Sequence, residues 1–197
     1  MTRKIRLATE SDASAVVGIY APFCETSPIT FETRIPAVSE VENRIRTISE
    51  ICPWLVCEQE GEILGYAYAG RHRDRAAYQW SVDVAVYLSA KHYREGIGTA
   101  LYTALFDLLR IQGFFNAYAG ITLPNPASVR LHERFGFEPV GTYRKVGYKA
   151  GAWHDVSWWG LALRPAVDSP AEPIPLQDAI RREDFCATIT SAEYLLR

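Results

Sequence analysis

The segment best suited to hold an anion runs from Arg94 to Thr99, where Gly96 and Gly98 interrupt a short basic stretch. Glycines in a tight turn allow several backbone N–H groups to converge, and the N-terminus of a following helix favours negative charge. The pattern predicts a phosphate-binding turn; glycines that serve only the geometry of the turn are the alternative. The segment lacks the Gly-Lys-Ser/Thr ending of a Walker loop and the three glycines of a dinucleotide fingerprint.

Two regular elements flank this turn and position it. Apolar residues at alternate positions from Val82 to Leu88 predict a strand over 80–88. After the turn, apolar residues recur every three or four positions and predict a helix over 98–112. The anion site is therefore expected at a strand-to-helix junction.

The same patterns along the chain predict a mixed α/β fold with the order βααβββαβαββ. The predicted elements are a strand at 5–8, helices from 11 to about 22 and 38 to 51, a hairpin over 54–68, a strand at 80–88, a helix at 98–112, a strand at 117–123, a helix at 126–135, and strands at 139–145 and 156–163. Pro22 is expected to disturb the end of the first helix.

A change of composition at Arg164 divides the chain. Residues 1–163 are predicted to form one domain, and residues 164–197 a proline-rich tail. Prolines at 165, 170, 173 and 175 predict an extended segment, followed by a short helix over 176–185. The tail is too small for a domain and is expected to cover this domain or a partner subunit.

The composition excludes several functional classes. The formal net charge of −2 argues against a nucleic-acid surface or a basic membrane patch. No apolar run approaches the roughly 20 residues of a membrane span, and no secretory segment is recognised. The four cysteines, the histidines and the carboxylates show no metal-ligand spacing. We therefore predict a cytoplasmic protein without a metal and without a nucleic-acid or membrane partner.

A second block of chemically useful residues begins at Asn125. Asn125 and Pro126 form a good helix start, and Gly136 can end the helix in a left-handed conformation. A well-capped helix would explain most of this block. His132 lies within it and titrates near physiological pH.

These blocks carry a family resemblance. The strand, the Arg-x-Gly-x-Gly turn and the helix resemble the pyrophosphate arm of the GNAT N-acetyltransferases, whose order of elements is also similar. Segments 54–56, 66–70, 77–80, 128–133 and 151–156 narrow the resemblance to the phosphinothricin and methionine sulfoximine N-acetyltransferases. The similarity covers roughly residues 3 to 163. It implies transfer of an acetyl group from acetyl-CoA to the α-amine of such an amino acid, by direct attack in a ternary complex.

The resemblance implies the cofactor site. The end of the strand would bind the pantetheine arm, with the backbone of Val86 and Leu88 pairing to it like an added strand. The turn would hold the pyrophosphate, and Asn125 would bind on the pantetheine side. The implied acetyl-CoA residues are Val86, Tyr87, Leu88, Arg94, Glu95, Gly96, Ile97, Gly98, Thr99 and Asn125.

The resemblance also implies catalytic roles for Asp83 and His132. Asp83 matches a family glutamate and would take the proton of the ammonium, directly or, being one methylene shorter, through a water. His132, where the wider superfamily commonly has a tyrosine, would protonate the departing thiolate. An N–H near Val86 would bind the oxyanion. A solvated surface aspartate and a packing histidine are the ordinary alternatives.

Substrate binding is implied for three side chains. Arg75 would bind a carboxylate or phosphinate in forked geometry, Tyr78 would add a hydroxyl, and Phe31 matches an aromatic residue beside the substrate. For Arg75 a solvated loop charge is the alternative. The resemblance further implies a homodimer.

Three departures from the family pattern leave the amine open. Tyr93 replaces a polar or basic residue, Asp83 replaces glutamate, and Arg71-His72-Arg73 differs in the loop that should select the substrate. Detoxification of an antibiotic or herbicide is one function; another small amine, a peptide N-terminus or a polyamine is an alternative substrate. A non-catalytic acetyl-CoA-binding module is the third alternative.

Overall fold

The computed structural model describes residues 2–196; Met1 and Arg197, the outer ends of the two predicted segments, lie outside the described residues. Within that range the chain forms one mixed sheet with helices on both faces. The strands are β1 (Lys4–Leu7), β2 (Trp54–Gln59), β3 (Glu62–Arg71), β4 (Ser81–Leu88), β5 (Asn116–Thr122), β6 (Glu138–Lys149) and β7 (Ala152–Ala162). The helices are α1 (Ala13–Thr26), α2 (Val38–Ile48), α3 (Ile97–Gln112), α4 (Pro126–Arg134), α5 (Leu176–Ala179) and α6 (Glu183–Glu193).

The predicted order and type of the elements up to β7 are confirmed. The seven described strands lie in the order β1-β2-β3-β4-β5-β7-β6. Neighbours pair antiparallel, apart from β4 and β5, which pair parallel through the connection that contains α3. Among residues 2–196, no helix combines the length and the apolar character that crossing a bilayer requires.

The parallel pair of β4 and β5 is short. It extends from Ser81↔Asn116 to Asp83↔Tyr118, and beyond that point the two strands have no paired residues. The remaining residues of β4, from Val84 to Leu88, pair with β3 alone. The centre of the sheet therefore opens into a split that is bounded by β4 and β5.

Strand alternation assigns the two faces of β4 to two separate packing layers. Val82 and Val84 belong to the main core with α3, whereas Tyr87 packs on the layer that holds α1 and α2. On that second face the Tyr87 ring contacts Tyr20 and Phe23, with centroids 5.0 and 5.2 Å apart. The side chain of Asp83 shares the face of Tyr87 because both occupy odd positions of the strand.

The expectation that Pro22 disturbs the end of α1 is wrong, because the helix continues through Pro22 to Thr26. A proline inside a helix removes one N–H bond and crowds the preceding turn. Here the last turn is stabilised by packing: Phe23 meets Tyr87, and Cys24 is buried.

The last two strands are longer than the predicted 139–145 and 156–163. They continue across a bulge between Tyr143 and Gly147, where Lys145 has φ of 49°. Asp155 stabilises the bulge: its Oδ1 accepts from the Lys145 backbone N–H at 2.7 Å, and its Oδ2 from Arg144 at 2.7 Å. A bulge breaks the two-residue alternation, so the pattern in the sequence ends too early.

The single helix predicted over 176–185 is also wrong: α5 ends at Ala179, and α6 begins at Glu183. Glu183 and Asp184 lie in the first turn of α6, where the helix dipole favours acidic side chains. The interruption allows both short helices to reach the core. Their buried members are Leu176, Ala179, Phe185 and Ala192.

These helices complete the burial of α3. Leu101, Tyr102, Leu105, Leu108 and Leu109 of α3 are all inaccessible to solvent. One side of α3 packs on the sheet, and α6 packs along another. The residues after Arg164 thus cover this domain and contribute to its main core.

We expect Phe185→Ala to lower the free energy of unfolding by about 3 to 5 kcal/mol, because it leaves a cavity between α6 and α3. Urea unfolding would measure the change. The neighbouring exposed residue offers a control, since Cys186→Ala should change stability by less than about 0.5 kcal/mol. Equal stabilities for the two variants would mean that α6 is not part of the cooperative core.

Candidate active site

A cavity of about 630 Å³ occupies the split between β4 and β5. It receives side chains from both faces of the sheet: Phe23 and Ile29 from the α1 side, and Tyr102 and His132 from α3 and α4. The cavity therefore passes between the two strands. Two reactants that approach from opposite faces can meet in it.

The backbone of β4 along this cavity has unpaired hydrogen-bonding groups. Ser89 N–H donates to Leu64 O at 2.9 Å and His72 N–H to Ser81 O at 3.3 Å, so the odd residues of β4 face β3. Residues alternate in an antiparallel ladder, and the N–H and C=O groups of Val84, Val86 and Leu88 consequently face the split. This register supports the predicted pairing of Val86 and Leu88 with an extended ligand.

The N-terminus of α3 supplies a second set of free groups. Gly96 has φ of 82° and precedes the helix, whose first internal bond runs from Ala100 N–H to Gly96 O at 2.9 Å. The N–H groups of Ile97, Gly98 and Thr99 have no acceptor within the helix, and all three residues line the cavity. Their N–H groups and the helix dipole can hold a diphosphate.

The charged residues at the cavity are basic. Arg94 and Arg130 line it, and no Asp or Glu among the described residues does. Glu95, which was predicted with the binding turn, does not line the cavity. It forms an ion pair with Arg3, and His92 Nδ1 lies 3.1 Å from its carboxylate. Glu95 therefore stabilises the turn from outside.

Asn125 lies where β5 leads into α4. Its Oδ1 accepts from the Ser128 backbone N–H at 3.1 Å and caps the helix, as the sequence suggested. Asn125 and Ser128 both line the cavity. The side chain that begins the helix is thus also available to a ligand through its amide nitrogen.

His132 is buried and bonded through both ring nitrogens. Its Nδ1 lies 2.8 Å from the Ser128 carbonyl, which can only accept, so Nδ1 carries the proton. Its Nε2 lies 3.2 Å from the Tyr102 hydroxyl and accepts from it. Burial lowers the pKa of His132, which keeps the imidazole neutral at pH 7. The transferable proton beside the cavity belongs to the rotatable Tyr102 hydroxyl.

Asp83 lies at the closed end of the split, on the face opposite His132. Its Oδ1 is 2.6 Å from His72 Nδ1, and its Oδ2 is 3.9 Å from Arg73 Nη1. Desolvation raises the pKa of Asp83 above the usual aspartate value, and the hydrogen bond with His72 opposes that shift. Asp83 does not line the cavity itself; the next residue, Val84, does.

The three predicted substrate residues lie apart. Tyr78 is edge-on to His72, with ring centroids 5.8 Å apart, and so lies close to Asp83. Arg75 is exposed and begins the short turn that contains Tyr78. Phe31 is 38% exposed and lies against Gly147, 6.4 Å from the His154 ring. None of the three lines the cavity, and their roles stay predictions.

The sequence did not identify two residues that the fold brings to these groups, Tyr102 and His72. Tyr102 falls within the predicted helix over 98–112 and His72 within the loop expected to select the substrate, and neither received a role from the sequence. Each contacts a predicted catalytic residue that is distant in the chain, 30 residues away for Tyr102 and 11 for His72. Local patterning carries no signal for such pairs.

Comparison with known proteins identifies the family. The model of the acetyltransferase (GNAT) domain matches residues 5–158. The phosphinothricin N-acetyltransferase of Streptomyces viridochromogenes is 42% identical over 172 residues, which are 87% of this chain and 94% of that protein. The L-methionine sulfoximine/L-methionine sulfone acetyltransferase of Pseudomonas aeruginosa is 32% identical over 86% of this chain and 100% of its own length.

Solved structures of the same family have a similar fold. The crystal structure of a GNAT superfamily phosphinothricin acetyltransferase from Sinorhizobium meliloti in complex with acetyl-CoA has a TM-score of 0.81. It is 32% identical and covers 87% of this chain and 95% of that one. The resemblance seen in the sequence is confirmed, and this chain belongs to the GNAT acetyltransferases.

Proposed function

We propose that this protein transfers the acetyl group of acetyl-CoA to the α-amine of a small amino acid such as phosphinothricin or methionine sulfoximine. The observation that carries the proposal is the cavity between β4 and β5, which has an unpaired strand edge along one wall and the free N-terminus of α3 at one end. The names of the relatives supply the substrate class.

The residues present fit acetyl-CoA. An extended pantetheine arm can add to the β4 edge at Val86 and Leu88, because an amide-bearing chain offers the donors and acceptors that a strand lacks. The diphosphate can accept the free N–H groups at the start of α3, with Arg94 and Arg130 beside it. When bound, acetyl-CoA supplies the activated acyl group.

Groups on the two faces of the sheet can then serve the two proton transfers, from the ammonium on one face and to the thiolate on the other. Asp83 is on the amine side, where its carboxylate serves the removal of the ammonium proton, directly or through a neighbouring group, and desolvation raises its pKa. On the other face the Tyr102 hydroxyl, which donates to His132 Nε2 in this structure, can rotate and donate to the departing sulfur instead. The N–H near Val86 faces the split and can stabilise the oxyanion.

A homodimer and a cytoplasmic location remain predictions. Exposed apolar side chains on the outer hairpin support an interface between two copies, and two of them, Tyr148 and Trp153, are in contact with ring centroids 5.3 Å apart. The exposed members are Val140, Tyr143, Val146, Tyr148 and Trp153.

The proposed substrate class is tested by thiol release from acetyl-CoA with a panel of amines. We expect release with phosphinothricin or methionine sulfoximine and none with their N-acetylated forms, which serve as controls because their nitrogen lone pair is delocalised. Release confined to peptides or polyamines would contradict the substrate class. Tight acetyl-CoA binding without turnover of any amine would contradict the enzyme itself.

Asp83→Asn is expected to lower kcat by about 10²-fold or more, because the amide lacks the negative charge on which removal of the ammonium proton depends. The Kd of acetyl-CoA, measured by calorimetry, should stay within about twofold, since Asp83 lies outside the cavity lining. Asp107→Asn, at an exposed ion pair with Arg110 on α3, is a matched control that should keep wild-type kcat. Unchanged turnover of Asp83→Asn at every pH would remove Asp83 from the mechanism.

Gly96→Ala should weaken acetyl-CoA binding. A Cβ at this position would lie 2.9 Å from the Leu195 carbonyl oxygen, and φ of 82° is strained for alanine. A distortion of about 1 to 3 kcal/mol corresponds to a Kd increase of roughly fivefold to 150-fold. Gly18→Ala is the control, because no atom lies within 4 Å of its added Cβ. Equal calorimetric affinities would show that the turn does not position the diphosphate.

A further inference from the structure

His72 and Asp83 form a hydrogen-bonded pair at the closed end of the split. The two atoms that meet, His72 Nδ1 and Asp83 Oδ1, are 2.6 Å apart. A carboxylate can only accept, so the proton of the neutral imidazole lies on Nδ1. The lone pair of the ring is therefore on Nε2.

Nε2 of His72 has no hydrogen-bond partner among residues 2–196, whereas Nδ1 is committed to Asp83. The side chain is 15% exposed, so it is enclosed but still reachable. Aromatic rings surround it: Tyr118 at 4.7 Å, Tyr78 at 5.8 Å and Trp158 at 6.2 Å between centroids. These ring contacts and the hydrogen bond to Asp83 hold the imidazole in place.

The pair lies where the cavity begins. Asp83 and Tyr118 are the last paired residues of β4 and β5, and the next residue on each strand, Val84 and Ala119, lines the cavity. The pair shares the face of α1 and α2, away from Tyr102 and His132. That face is the one left for the amine once the α3 side holds the diphosphate.

We infer that His72 is the group that takes the proton of the substrate ammonium, through Nε2, and that Asp83 is the positioning residue that orients it. This inference rests on the proposed function and replaces direct proton transfer to Asp83 by transfer to His72, with Asp83 behind it. Asp83 fixes the ring and stabilises the imidazolium that forms, so the carboxylate acts without touching the amine.

Protons and bonding electrons balance in the proposed acetyl transfer. One proton moves from the ammonium to His72 Nε2 and later to solvent, which frees the nitrogen lone pair. That pair forms the C–N bond to the acetyl carbon, and the C–S bond breaks with its electrons on sulfur. The nitrogen loses a second proton and the sulfur gains one, so the products are the amide, CoA thiol and one released proton.

Four charged or titratable groups face His72 and would affect its protonation. They are Asp83 on β4, Tyr118 on β5, Tyr78 in the turn before β4, and Arg73 on its own loop, whose guanidinium lies over the Trp158 ring at 5.8 Å. The Asp83 carboxylate and the Arg73 guanidinium are the charged members of this set.

The test compares His72→Gln with wild type, using acetyl-CoA and the best amine of the panel. Glutamine can still donate to Asp83 but cannot take a proton. We expect kcat/KM at pH 7 to fall by about 10²-fold, with the Kd of acetyl-CoA within about twofold. The deficit should shrink as pH approaches the pKa of the substrate ammonium, because the amine then arrives already deprotonated.

Controls separate a catalytic role from a structural one. If the two residues act as one unit, the effects of their substitutions on kcat/KM should not add. The double variant His72→Gln/Asp83→Asn should therefore have a kcat/KM no lower than that of the slower single variant. His154→Gln, at a histidine bonded to the Lys149 carbonyl, should keep the wild-type pH profile. Melting curves verify folding, and His72→Asn replaces His72→Gln if the latter does not fold.

The experiment distinguishes failure of the role of His72 from failure of the proposed function. An active wild type with unchanged kcat/KM in His72→Gln, or a deficit that is constant with pH, overturns the role of His72 and leaves the proposed function intact. A wild type that is inactive with every amine overturns both.

Discussion

The split between β4 and β5 is the constraint on which the site depends. A strand inside a sheet normally satisfies its N–H and C=O groups on both sides, and leaving them unpaired in a protein interior costs free energy. Here the parallel ladder stops after Asp83↔Tyr118, and the groups of Val84, Val86 and Leu88 are left open to a cavity. A ligand with a peptide-like arm can satisfy them. The sheet is thus incomplete in the place where such a ligand fits.

Burial acts in opposite directions on the two candidate catalytic groups. Desolvation raises the pKa of Asp83 and lowers the pKa of His132, because in each case it disfavours the charged form. The carboxylate becomes a better proton acceptor, and the imidazole stays neutral and bonded to Tyr102. The sheet lies between these groups, so in the proposed reaction the proton that leaves the amine and the proton that reaches the sulfur would be transferred on separate faces.

The segment after β7 is connected to the binding turn. α6 packs on α3, and Glu193 Oε1 accepts from the Ile5 backbone N–H at 2.8 Å. The Leu195 carbonyl lies directly behind Gly96, near enough to meet an added Cβ. The end of the chain therefore supports the turn that precedes α3, in addition to covering the helix. A change at the C-terminus can consequently reach the anion site through contacts of the backbone.

The order of the elements, the strand-to-helix turn at Gly96 and the cap at Asn125 could be predicted from the sequence, because each depends on backbone preferences within a few residues. The family could be recognised for the same reason, since its motifs are local. The pairing of Tyr102 with His132 and of His72 with Asp83, the bulge at Lys145 and the division of the tail into α5 and α6 could not. Each of these depends on which distant surfaces meet, and only the packing of the sheet, α3 and the tail decides that.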